Sequence, residues 1–190
     1  MTRNLLGSAL LGLALLAFGS TANADKYSDT IKLFQDAGES KAFFGNSYGY
    51  AVFPTIGKAG LGIGGAHGEG QVYAGGKPVG TSKMTQLSIG FQAGAQGYSL
   101  MIFFQDKRAF DEFTSGNFEF GAQVGAVVIT AAASAEAGTG GSTATASGGK
   151  KDASTAGGYD KGVAPFVIIK GGLMYEAALG GSKFSYKPFK

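Results

Sequence analysis

Residues 49–76, Gly-Tyr-Ala-Val-Phe-Pro-Thr-Ile-Gly-Lys-Ala-Gly-Leu-Gly-Ile-Gly-Gly-Ala-His-Gly-Glu-Gly-Gln-Val-Tyr-Ala-Gly-Gly, decide how this chain is read. They open as an aromatic strand, pass through closely spaced glycines and end in a second short strand. Glycine at that density lets backbones approach each other, or a ligand, where a Cβ would clash. Such a stretch points to a β domain of binding type better than to any reaction.

Period-two patterning continues outward from it. From Met84 to Gln96, Leu87, Ile89, Phe91, Ala93 and Ala95 alternate with Gln86, Ser88, Gln92 and Gln96, which predicts a half-buried strand with the odd positions inward. Leu100 to Phe104 is continuously apolar, as in a strand covered on both faces. Asp106 to Thr114 predicts a short helix capped by Asp106, with Phe110 and Phe113 inward. Alternation resumes over Phe118–Val128, and strands at 163–170 and 173–179 are expected around a tight turn at Gly171-Gly172. Phe184-Ser185-Tyr186 closes the chain.

Upstream, Tyr27, Ile31 and Phe34 recur at helical spacing over residues 25–44, with Asp25 as N-cap and Gly38 as interruption or end. Residues 131–160 are nearly all Ala, Gly, Ser and Thr. They lack the apolar surface needed to offset chain entropy, so a flexible loop or a loosely paired hairpin is expected. No linker divides the chain. The expected architecture is α+β: one antiparallel, strongly curved sheet or small β-barrel, with an N-terminal helix and one short additional helix.

Arg3, the apolar run Leu5–Phe18 and Ala22-Asn23-Ala24 read as a secretory signal peptide over residues 1–24. The single domain is therefore 25–190, exported to a bacterial periplasm, cell envelope or medium. There is no Cys, so neither disulfides nor thiolate metal sites are expected. The formal net charge of +3 is too mild for a dedicated nucleic-acid binder. Lysines are nevertheless unevenly placed: Lys41, Lys58, Lys77 and Lys83 face the single acid Glu69 within residues 41–105.

Catalytic motifs fail on context. Gly60 to Gly65 fits G-x-G-x-x-G, but strand-like residues follow it, and no acid occurs between Glu69 and Asp106 to hold a ribose. Gly45-Asn46-Ser47-Tyr48-Gly49 fits a nucleophile elbow, yet it precedes a strand, and no acid separates Ser47 from the one histidine, His67. His67 and Glu69 are too few for a zinc site and read as a polar turn in a glycine loop. The residues thus predict a protein that is not an enzyme and carries no cofactor or metal.

Several blocks together resemble the SYLF domain family. They are Gly49-Tyr50-Ala51-Val52-Phe53-Pro54, Gly57-Lys58, Gly64 to Gly70, Ile89 to Gly94, Ile102-Phe103-Phe104, Phe118 to Gln123 and Lys170 to Glu176. The resemblance implies lipid binding, with a phosphoinositide preference and actin contacts in eukaryotic members. An exported chain does not meet cytoskeletal actin, so only the lipid activity is carried over. It places the lipid site on the helix 25–44, at Lys26, Lys32, Phe34, Lys41, Phe43 and Phe44, with Lys58 of the family motif added. Phe43 and Phe44 would insert while lysines attract anionic phospholipid head groups. Two alternatives stand beside it: a small outer-membrane β-barrel, and an envelope protein that uses its β face for protein contacts.

Overall fold

The computed structural model describes residues 21–61, 63–89, 94–122, 124–129, 158–172 and 179–190. Most of the expected leader, most of the Ala/Gly/Ser/Thr tract and the expected strand at 173–179 up to residue 178 lie outside the described residues.

Two helices open the described chain, α1 (Thr21–Asp36) and α2 (Gly38–Asn46). Ala37 between them is extended, at φ −76° and ψ 117°, so the break falls one residue before the glycine that predicted it. The buried Ser40 hydroxyl donates to the Phe34 carbonyl at 2.5 Å and ties the two helices together. Asp25 lies inside α1 and does not cap it.

The strands are β1 (Gly49–Leu61), β2 (Ile63–Ala74), β3 (Lys77–Ile89), β4 (Gly94–Phe104), β5 (Phe118–Glu119), β6 (Val127–Ile129), β7 (Val163–Gly172) and β8 (Lys183–Pro188). Helix α3 (Lys107–Thr114) lies between β4 and β5, and the Asp106 carboxylate caps it by accepting from the Ala109 N–H at 2.9 Å. The strands form one curled sheet, a half-barrel in the order β5-β8-β3-β2-β1-β4-β7-β6. Every pairing is antiparallel except the parallel pair β6–β7.

The glycine run is strand, not loop. Gly60 pairs with Gly64 at the tip of the β1–β2 hairpin, and His67 and Glu69 sit in mid-strand on β2. A Cβ on Gly68 would stand 2.6 Å from Ile56 Cγ1, and one on Gly70 would stand 2.5 Å from the Phe53 ring. These glycines leave room for large side chains on the neighbouring strand. Gly75 and Gly76, at φ +56° and +76°, form the two-residue turn into β3, a geometry that needs two left-handed residues.

Other expectations are corrected by register. Met84–Gln96 is the end of β3 and the start of β4. Gly171 and Gly172 continue β7 opposite Gly97 and Gln96. The alternation at 118–128 yields only β5 and β6, because the chain between them turns, with the Val124 N–H donating to the Gly121 carbonyl.

The sheet is covered on both faces at one end. One face packs Phe53, Ile56, Leu100, Ile102 and Phe104 with α3 and β8 through Phe113 and Phe184. The other packs Val52, Tyr73, Met101, Phe103 and Phe166 beneath α1 and α2 through Phe34 and Phe43. The doubly covered run Leu100–Phe104 supplies both layers, as its composition predicts.

Burial gives this core a pH response. Desolvation, with Tyr50 and Tyr27 nearby, pushes the Tyr73 hydroxyl up to about 12, against an ordinary value near 10. Because the folded value is the higher one, the stability it contributes is full below pH ~10 and is lost as pH rises toward 12. Alkaline unfolding followed by circular dichroism should therefore steepen between pH ~10 and ~12. Tyr73→Phe should flatten that interval.

Candidate functional site

At the end of the sheet holding the β1–β2 hairpin tip, the usual polarity is reversed. Residues paired across neighbouring strands share a face. Lys58 on β1 pairs with Gln96 on β4 and Ala66 on β2, and Ala66 pairs with Gln86 on β3. This polar row lies on the α3 face, in line with Ile56 and Met84, and it is interior: Lys58 is 5% exposed, Gln86 6% and Gln96 5%. Leu87, expected inside, is 85% exposed, and Ile63 is 72% exposed. The odd positions of β3 face outward because Met84, opposite Gly68 and Phe184, is locked into the core. A strand with one residue fixed inward has the rest of its alternation determined.

On the α1/α2 face, two cross-strand rows floor a groove of about 730 Å³. Lys183, Thr85, His67 and Gly57 make one row, and Leu87, Gly65, Ala59 and Ala95 the other. The floor is glycine and alanine, the rim polar, and the outer end apolar at Leu87, with Ile63 next to it on the hairpin tip. Lys58, Ala66, Gln86 and Gln96, which alternate to the other face, line the groove as well. Rim charges are partly matched: Lys183 lies 3.6 Å from Glu119, and Lys83 lies 3.2 Å from Glu69. Exposed pairs of this kind contribute little to stability.

The sequence-predicted lipid residues separate into three groups. Lys26, Lys32 and Lys41 are exposed on the helices, with the partly exposed Leu33 beside Lys32. The phenylalanines are structural. Phe34 is sealed in the core, and Phe43 is 7% exposed, ringed by Phe103, Phe166 and Tyr159 at 5.5, 4.9 and 5.1 Å. Phe44 is half-buried, edge-on to Phe103 at 4.9 Å. Insertion by Phe43 and Phe44 is therefore corrected: their rings already fill the layer between helix and sheet. Lys58 lies across the sheet from the helical lysines and cannot share one patch with them. Sequence reasoning missed Ile63, Leu87, Gln86 and Gln96. The available signal was the phase of β3, where Met84 and Leu87 cannot both face inward.

Among the described residues no group of His, Cys, Asp and Glu could hold a metal ion, and no helix is long and apolar enough to cross a membrane. The described strands build a curled sheet whose hairpin end carries buried polar and exposed apolar side chains. The chain belongs to the Ysc84 family, described as Las17-binding protein actin regulator, whose model matches residues 85–186, and this is the SYLF family of the resemblance. Lipid- or actin-related binding is the activity associated with the family. The chain is 30% identical over 156 residues to beta cell expansion factor A of Aeromonas veronii, a match covering 81% of this chain and 51% of that protein. The chain thus spans about half the length of the curated relative it matches.

Proposed function

We propose that this is an exported, non-enzymatic lipid-binding protein that associates peripherally with anionic phospholipid surfaces. The contact is the α1/α2 side of the sheet together with the hairpin tip. One observation carries the reading: Ile63 and Leu87, both strongly exposed, share a face with the groove and with the helices that present Lys26, Lys32 and Lys41. Apolar side chains at the tip enter the acyl boundary, and the lysines meet head groups. Export, as the leader composition suggests, favours a lipid over a cytoskeletal partner.

A full outer-membrane barrel fits less well, although polar-inside and apolar-outside is its pattern. The inverted zone is confined to the tip. Away from it the same face carries the exposed His67, Glu69, Lys83 and Thr85, and then helices. The described edge strands β5 and β6 do not pair with each other. Shallow docking is what such a short apolar zone supports.

Sedimentation with phosphatidylglycerol and phosphatidylcholine vesicles tests the proposal. Three lysines near an anionic surface, at ~1 kcal/mol each, favour phosphatidylglycerol by roughly 100-fold at low salt. Salt at 0.5 M should weaken that preference without abolishing binding, because the apolar share is unscreened. Equal, weak binding to both vesicles would sink the reading.

A further inference from the structure

Lys58 is a buried cation with no counter-charge beside it. Its ammonium donates no hydrogen bond and makes no ion pair among the described residues, and no described carboxylate is buried. A lysine that is 5% exposed and has no partner in the protein is poorly compensated, which suits a row that receives something negative. The groups around it are neutral and polar. Gln96 stands directly opposite on β4, and its Oε1 is buried without a hydrogen-bond partner. Ser182, just before β8 and fully buried, also has an unpartnered hydroxyl. It precedes the Thr85–Lys183 pair by one residue, which places it beside Gln86 on the same face. Between Lys58 and Gln86 the row holds only Ala66, so the floor over β2 is low.

We propose that this row, on the α3 face of the sheet, binds one monoanionic, hydroxyl-bearing group, a phosphodiester or a carboxylate. Lys58 neutralises its single charge, and the Ser182 hydroxyl donates to its oxygens. Gln96 Oε1, an acceptor with nothing to accept, takes the ligand's own O–H. One cation sets the charge at minus one, and the orphaned acceptor demands a donor next to that charge. A glycerol-type phosphodiester head group meets both conditions, and so does a hydroxy acid. A choline head group, with no O–H, does not. The inference rests on the lipid-binding reading for the source of the ligand, but its site is on the opposite face of the sheet from the vesicle contact.

The purified protein is titrated by calorimetry and thermal unfolding with dihexanoyl phosphatidylglycerol below its micellar concentration. Glycerophosphoglycerol, 3-hydroxyhexanoate and dihexanoyl phosphatidylcholine are run in parallel. The expected result is one site per chain for hydroxyl-bearing anions and none for the choline lipid. The acyl and acyl-free arms tell a lipid head group from a free metabolite. Lys58→Met should weaken binding about 10- to 100-fold, as loss of a charged hydrogen bond does. It should also raise the unfolding temperature of the ligand-free protein, because an unpaired buried charge is gone. Gln96→Glu supplies an internal counter-ion and should abolish anion binding while the protein stays folded, so the test survives if Lys58→Met misfolds. Both variants should still sediment with anionic vesicles, which separates this site from the surface reading. No response of the parent protein to any anion, or binding in both variants as tight as in the parent, overturns the proposal.

Discussion

Replacing Ile63 and Leu87 together by serine should lower affinity for phosphatidylglycerol vesicles by roughly 10- to 100-fold while leaving the unfolding temperature almost unchanged. Fully burying one such side chain is worth about 1.5–3 kcal/mol. Docking at an interface realises about half of that, so the pair contributes about 1.5–3 kcal/mol, and each 1.4 kcal/mol is a factor of ten. Stability is spared because both side chains stand in solvent in the free protein, at 72% and 85% exposure. Removing surface apolar groups away from packed features changes folding by about ±0.5 kcal/mol or less. The control is Lys26→Glu with Lys32→Glu, which should abolish the preference for anionic lipid and with it most of the salt dependence. Full vesicle affinity in the serine double variant would place the contact elsewhere on the molecule.

The same residues show how far the sequence could be read. Helix α3 was legible to its cap, because Asp106 followed by inward Phe110 and Phe113 is a local pattern and needs no partner. The doubly buried strand at Leu100–Phe104 was legible for the same reason. The glycine hairpin was not, since whether Gly68 is loop or strand depends on Ile56 and Thr55 of the strand beside it, which would meet its Cβ. The polarity of β3 was hidden likewise. Leu87 alternates with Gln86 whichever way the strand faces, and only the pairing of Met84 with Gly68 and Phe184 fixes the answer. For the helical segment, Phe34, Phe43 and Lys32 read equally well as a membrane face or a packing face. Amphipathicity says that one side is buried and does not say against what.

That ambiguity is settled by a single substitution. Phe43→Ala should lower stability by about 3–5 kcal/mol, the range for a buried phenylalanine. In a chain of this size that corresponds to roughly 8–15 °C in unfolding temperature. Three aromatic partners lose a ring at once, Phe103 and Phe166 on the sheet and Tyr159 just before β7. At a temperature where the variant is still folded, its vesicle affinity should match that of the parent protein. The opposite pair of results, unchanged stability with lost binding, would mean that α2 leaves the sheet at the membrane and carries its phenylalanines into the lipid. Partial loss of both would have a different signature. Binding would then recover on cooling in step with the folded fraction, since α2 can present Lys41 only while Phe43 holds it against the sheet.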